Sequence, residues 1–167
     1  MAKRYEEDKS GIESNTVGVY RTAATVKGGR RFSFSGMVVC GDRKGRVGLG
    51  YGKANQVPNA IEKAQKKAKQ AMRSFPLTGT TIPHQVTGRF GACTVRLVPA
   101  SPGTGVIAGA AVRAVLDLVG VQDCLSKAYG STNNKNLTKA VIDGLRQLRS
   151  REQVENLRKI TIEKTHI

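Results

Sequence analysis

Apolar and polar positions alternate loosely from Thr16 to Val26, where Val17, Val19, Tyr20, Thr22, Thr25 and Val26 set a β-rich run. A second run, Arg31 to Cys40, carries Phe32, Phe34, Met37, Val38 and Val39, and both phenylalanines are expected in the core. A third, Arg46 to Tyr51, puts Val47, Leu49 and Tyr51 on one face and Gly48 and Gly50 on the other, because strand side chains point alternately to opposite faces. Between the second and third runs, Gly41-Asp42-Arg43-Lys44-Gly45 has the composition of a hairpin turn. The period then changes to that of a helix: Val57, Ile61, Ala64, Ala68, Ala71 and Met72 recur at helical spacing. Asn55 is the candidate cap, and Pro58 suits the first turn. A helix from Val57 to Ser74 would be about 27 Å long. Its stripe of small residues fits close packing on the glycine-bearing face of the sheet.

Residues 16–76 thus read β-β-β-α. Residues 1–15 mix charges of both signs without periodicity and read as a flexible arm. Phe75 to Gly79 reads as a linker to a second unit over 77–150. There Thr81–Val86 and Ala92–Val98 are expected strands around a turn at Thr87–Gly91, followed by the stiff loop Pro99 to Gly105. A small-residue helix over Ile107–Val119, a short strand over Val121–Ala128 and a second helix over Leu137–Leu148 complete it, with Asn133 or Asn136 as cap. Residues 151–167 read as a charged tail. The class is α+β in two domains.

Charge sharpens the picture. The chain holds 28 Lys and Arg against 12 Asp and Glu, a formal net charge of +16. Self-repulsion of that size burdens the compact state, so a polyanionic partner is the natural inference. No apolar run approaches the roughly 20 residues that span a bilayer, and the basic helix lacks the large apolar groups of a membrane-lying one. No membrane partner is expected. The N-terminus has no apolar signal-peptide core. Cys40, Cys93 and Cys124 are far apart and form no C-x-x-C pair, so they read as buried thiols in a reduced cytoplasm, with neither disulfides nor metal. Residues 1–76 carry 16 cations and 6 anions against 12 and 6 in the remainder, which places the stronger polyanion contact on the first unit.

The strongest local candidate is Thr25 to Arg31, T-V-K-G-G-R-R. Gly28 and Gly29 allow a tight turn and close approach to another surface, while Lys27, Arg30 and Arg31 crowd around the tip. Guanidinium forks match phosphate geometry. Arg21, Lys44, Arg46, Lys53 and Arg73 add cations along the same unit. On the helix, Lys63, Lys66, Lys67, Lys69 and Arg73 are opposed only by Glu62, which favours a phosphate-facing surface over a merely solvated one.

Enzymatic motifs fare worse. Gly103-Thr104-Gly105-Val106-Ile107-Ala108 matches a dinucleotide fingerprint, with Asp123 twenty residues after Gly103. However, Pro99 and Pro102 put a long loop where the fingerprint needs a tight strand-to-helix turn. The loop still offers backbone N–H groups and a helix N-terminus to an anion. Gly48 to Lys53 resembles a phosphate loop, but Val47 and Ala54 stand where it needs glycine and a hydroxyl. His84 and His166 have no ligand partners at metal spacing, and Ser101 has no triad. Asp117, Asp123 and Asp143 read as caps or surface partners. The chain is not expected to be an enzyme or to bind a cofactor. A nucleotide-dependent enzyme using Gly103 to Ala108 is the reading that dinucleotide titration would test.

Several words are long and ordered: T-V-K-G-G-R-R-F-S-F, G-R-V-G-L-G-Y-G-K-A, V-P-x-A-I-x-K-A, P-A-S-P-G-T-G-V-I-A-G-A-A-V-R-A-V-L and K-A-Y-G-S-T-N. From about Val17 to Leu148 the chain closely resembles the bacterial small-subunit ribosomal protein five family. The resemblance implies a double-stranded-RNA-binding-like first domain. It also implies a β-rich α+β second domain with a left-handed βαβ crossover, a hand rare in other sheets. It implies a structural role at the head–body junction of the small subunit, contacts to ribosomal RNA, neighbours in small-subunit proteins four and eight, and protein three nearby. Messenger RNA would pass along its entrance path, with Arg21 and Arg30 facing it. Arg31 stands where the family carries an apolar residue. Gly103, Thr104, Gly105 and Arg113 would lie near the protein-four boundary, where the family influences decoding accuracy. The alternative is a free-standing RNA-binding regulator using the same first domain.

Overall fold

The computed structural model describes residues 5–7 and 11–160, and for 5–7 only the backbone. Its elements are β1 (Tyr5–Glu7), β2 (Glu13–Val26), β3 (Gly29–Gly41), β4 (Arg46–Ala54), α1 (Val57–Gln70), β5 (Arg73–Ser74), β6 (Val86–Phe90), β7 (Cys93–Pro99), β8 (Val106–Ile107), α2 (Ala110–Val119), β9 (Cys124–Gly130), α3 (Asn134–Arg146) and α4 (Arg151–Arg158). Two sheets result: an antiparallel one ordered β1-β2-β3-β4-β5, and a mixed one ordered β6-β7-β9-β8 in which only β8 and β9 run parallel. The expected α+β class holds, and β8–α2–β9 is its parallel crossover.

The first sheet has two working faces, set by alternation along β3 and β4. Val38 and Cys40 pack with Ala64 and Ala68 of α1. On β4 the same face is Gly48, Gly50 and Gly52, and a Cβ there would run into the carbonyl oxygens of Ala68, Ala64 and Ala60 respectively. Glycine on one partner and alanine on the other therefore let helix and sheet touch backbone to backbone. The other face, with Val39 and Val47, joins Phe75, Leu97, Val115, Leu118 and Leu145 in one apolar core. The two domains thus share a core. Phe75, expected in a linker, is 6% exposed, and its N–H donates to the Gly45 carbonyl.

Several expectations shift. Part of the expected flexible arm is strand: β2 begins at Glu13, paired with Gly41, and β1 pairs with β2. The expectations for residues 1–4, 8–10 and 161–167, His166 among them, fall outside the described residues. The first helix stops at Gln70, and β5 follows. Its N-cap is Gln56, without a side-chain cap, rather than Asn55. The first strand of the second unit is Val86–Phe90 rather than Thr81–Val86, so its hairpin turns at Gly91–Ala92. Val106–Ile107 is strand, so α2 starts only at Ala110. The last strand is Cys124–Gly130, not Val121–Ala128. The helix expected over Leu137–Leu148 is Asn134–Arg146, and Asn133 is its cap, accepting from the Lys135 N–H. The expected tail includes a helix, α4, started by a capping box between Ser150 and Gln153. All three cysteines are buried, as expected.

Candidate nucleic-acid interface

β2 and β3 outlast the rest of the sheet and form a hairpin finger. Pairing runs to Thr25 with Arg30 and Val26 with Gly29, so only Lys27 and Gly28 form the turn. Gly29 takes φ of +146°, a conformation that favours glycine. Nothing lies within 4 Å of a Cβ placed on Gly28 or Gly29, so the tip is bare on both sides. Alternation sends Arg30 and Arg31 to opposite faces. Arg30 shares its face with Arg21, Phe32 and Phe34, the face that α1 covers nearer the body; Arg31 shares the other with Ala24, Ser33 and Ser35.

Phe32 is a correction. Its composition places it in the core, yet it is 49% exposed. The Arg21 guanidinium lies over its ring, 4.5 Å from the centroid, an arrangement that holds the cation over the quadrupole of the ring. Gly36 lies against Ile61 near the start of α1; Phe32, four residues nearer the tip, is past that packing.

On α1 the alanine stripe is buried and Lys63, Lys66, Lys67 and Lys69 are exposed. The helix has no acid in its first turn, and Lys67 and Lys69 sit in its last, where cations suit the negative end of the helix dipole.

Other predicted cations lie elsewhere. Lys44 and Arg46 are at the β3–β4 turn, the opposite end of the sheet from the finger. Arg46 is paired with Asp42 there, Nε to Oδ2 at 2.6 Å, and Asp42 also accepts from the Lys44 and Arg46 N–H groups. Burial works to raise the Asp42 pKa, but these bonds from Arg46 and Lys44 hold it below its usual value. Arg73, on β5, lines a 280 Å³ groove between the domains with Phe75, Phe90, Lys139 and Arg146. Lys53 shares the Arg31 face of the sheet.

The Gly103 loop is not an open anion cradle. Asp123, 4% exposed, already fills it: its carboxylate accepts from the Gly105 N–H at 2.9 Å. That bond, with others from Thr80, Gly103 and Thr104, holds the Asp123 pKa below its usual value despite burial. The residue that a dinucleotide site would aim at a ribose is thus the internal counter-anion of the loop. Since β8 also separates loop from helix, the dinucleotide fingerprint is not formed here, and the Gly105 N–H is turned to Asp123 rather than outward. Arg113 is exposed but donates to the Val106 carbonyl at 2.9 Å, tying α2 to β8. Among the described residues no cluster of His, Cys, Asp or Glu fits a metal, and no helix is long and apolar enough to cross a membrane.

One group escapes sequence reasoning. Lys135, at the start of α3, reaches back to the first sheet, with Nζ 4.3 Å from the Tyr20 ring centroid and 5.0 Å from that of Tyr51. A hydrogen bond with Ser35 draws the Tyr51 phenol below its usual pKa; burial opposes this, and the Lys135 and Lys53 charges assist it. No local pattern in the sequence announces a contact between residues so far apart.

Both domains match known family models. Residues 12–76 match the family model described as ribosomal protein S5, N-terminal domain, and 88–158 match ribosomal protein S5, C-terminal domain. The chain is similar to the small ribosomal subunit protein uS5 of Rhodopirellula baltica, 53% identical over 150 residues, covering 90% of this chain and 85% of that one. It is 54% identical over 153 residues to uS5 of Rubrobacter xylanophilus, covering 92% and 76%. To uS5 of Psychromonas ingrahamii it is 47% identical over 162 residues, covering 97% of each.

Proposed function

The chain belongs to the ribosomal protein S5 family, and from that membership we propose that its finger and the lysine face of α1 grip small-subunit ribosomal RNA at the junction of head and body. As a family member it is a structural, non-enzymatic constituent of the small ribosomal subunit, with ribosomal RNA and ribosomal proteins as partners. It works in the cytoplasm, on the ribosome.

The observation that carries the reading is the bare tip with Arg30 and Arg31 on opposite faces of a two-stranded ribbon. Such a tip can enter a cleft between RNA segments and meet phosphates on both walls. The major groove of A-form RNA is deep and narrow, so shape and backbone reading dominate over base reading. Cations that replace condensed counterions supply the affinity, and the rigid sheet fixes where they lie.

Arg21 and Arg30, on one face, would line the path along which messenger enters. Gly103, Thr104, Gly105 and Arg113 would form a boundary with small-subunit protein four rather than bind phosphate, because Asp123 already takes the Gly105 N–H and the Ser101 carbonyl the Thr104 N–H. That boundary is where an effect on decoding accuracy would arise. Protein eight would be a second neighbour, and protein three would lie nearby.

The test is the variant with Lys27, Arg30 and Arg31 all changed to Glu. It should fold as the parent does, yet bind small-subunit ribosomal RNA weakly and impair subunit assembly. Full incorporation and unimpaired translation would overturn the reading. Parent protein that sediments outside subunits at working salt would point instead to a free-standing regulator.

A further inference from the structure

The 280 Å³ groove between the domains is built from both of them. The first domain gives it Val47 and Leu49 of β4, Arg73 of β5 and then Phe75. The second gives it Phe90 of β6 and one stripe of α3: Lys139, Ile142, Asp143 and Arg146. Those four are spaced i, i+3, i+4 and i+7, so they share one side of the helix. It is distinct from the side that sends Leu137, Val141 and Leu145 into the core.

The groove has an apolar floor and a cationic rim. Val47, Phe75 and Ile142 are buried and form the floor, while Arg73, Lys139 and Arg146 are exposed around it. Lys139 leans on the Phe90 ring, with Nζ 4.6 Å from its centroid. Neither Arg73 nor Arg146 has a carboxylate partner among the described residues. The acid of the groove, Asp143, is turned to the protein: its Oδ2 accepts from the Arg89 N–H at 3.0 Å and from the Gln147 side-chain amide at 3.1 Å. Three cations from two domains thus surround an apolar hollow whose one carboxylate is already engaged.

We propose that this groove binds a free small molecule with a flat apolar body and one phosphate or carboxylate group, the body on the floor and the anion held between Arg73 and Arg146. A domain boundary, an apolar lining and a few convergent polar groups are the usual makeup of a ligand site. The volume is near the lower end for such sites, roughly 300 Å³ and upward, so the body is one or two rings. A neutral ligand would leave the guanidinium forks unanswered, and those forks match carboxylate and phosphate geometry. A bare inorganic anion would leave the floor unfilled. Because the ligand takes one arginine from each domain, its binding braces the angle between them. The site goes beyond the RNA reading and lies away from the finger: Gly41, paired with Val47, is twelve residues along β3 from Gly29 at the tip, roughly 40 Å.

The probe is 1-naphthyl phosphate, whose emission can be followed in full-length protein because the chain has no Trp. It should bind saturably, one per chain, and raise the thermal midpoint as its concentration rises. Arg73→Gln and Arg146→Gln should each weaken binding roughly tenfold. Neutral 1-naphthol, which tests the floor, and inorganic phosphate, which tests the rim, should each bind at least about tenfold more weakly than the probe. Ala71, exposed at the edge of the groove, offers a variant that touches no cation: Ala71→Phe fills the hollow and should block the probe while circular dichroism shows the parent fold. The charge-reversed finger variant should bind the probe as the parent does at physiological salt, where charges so far apart are screened. Inorganic phosphate binding as tightly as the probe would overturn the proposal, and so would a loss in the finger variant as large as in the arginine variants. Either would mean general attraction to a basic protein. No saturable binding at millimolar probe would overturn it outright.

Discussion

Gly50 and Ala64 meet backbone to backbone: a Cβ on Gly50 would sit on the Ala64 carbonyl oxygen. Neither atom can move alone, since one belongs to the central ladder of the sheet and the other to the body of α1. Gly50→Ala should therefore act as severe overpacking, costing about 3 kcal/mol. Urea unfolding monitored by circular dichroism would read this as a lower midpoint. The thermal midpoint should fall by roughly 10 °C.

That contact was legible beforehand because each partner carries its own local signature, glycines at every second position and alanines at every fourth. The lysine surface of α1 was legible for the same reason. What was hidden depends on residues distant in the chain. Glu13 is strand because Gly41 pairs with it, and nothing near Glu13 announces that. Asp123 fills the Gly103 loop from eighteen residues beyond Gly105, so the loop looked empty when read alone. Phe32 has the composition of a core residue, and only the extent of α1 reveals that the finger carries it past the covered part of the sheet.

The two tip glycines should separate conformational need from partner contact. Gly28 has no positive φ and nothing within 4 Å of where its Cβ would stand, whereas Gly29 sits at +146°. Gly28→Ala should leave the free protein within about 0.5 kcal/mol of the parent, while Gly29→Ala pays for strain at the turn, on the order of 1–3 kcal/mol. Unfolding curves of both variants check this. If RNA passes close to the turn, Gly28→Ala should nevertheless weaken ribosomal-RNA binding, seen in equilibrium titration. A parent-like affinity would place the RNA farther from the backbone.

Asp123 should make stability depend on acid pH. Its pKa is lowered in the fold, chiefly by the Gly105 N–H, so folding favours the ionised carboxylate. The associated stability is fully present above the unfolded value near 3.9 and is lost as pH falls through the lower folded value. Asp123→Asn should remove its share of this dependence, leaving that of Asp42, and destabilise the protein at neutral pH by stripping the charge from its backbone bonds. Denaturant midpoints measured between pH 7 and pH 2.5, parent against variant, supply the comparison.

Burial should also silence the thiols. Desolvation pushes the Cys124 pKa up to about 11, and Cys40 and Cys93 are buried as well. The thiolate is the reactive species, so folded protein at pH 7.5 should resist alkylation by iodoacetamide, while unfolding in urea should expose three reactive groups, counted by mass spectrometry. Rapid labelling of native protein would show that the core opens locally.

Lys135 joins the two domains by a contact whose energy can be isolated. Its ammonium lies over Tyr20 and near Tyr51, and α3 and the first sheet are otherwise linked there by apolar packing and by the Thr138 hydroxyl on the Met37 sulfur at 3.3 Å. An exposed cation–π contact is worth about 0.5–1 kcal/mol, so Lys135→Ala alone should lower stability only slightly. A double-mutant cycle with Tyr20→Leu should show coupling of about that size, because loss of the nearer ring leaves the ammonium only Tyr51, 5.0 Å away. Coupling near zero would mean that the shared apolar core alone sets the angle between the domains, and with it the aim of the finger.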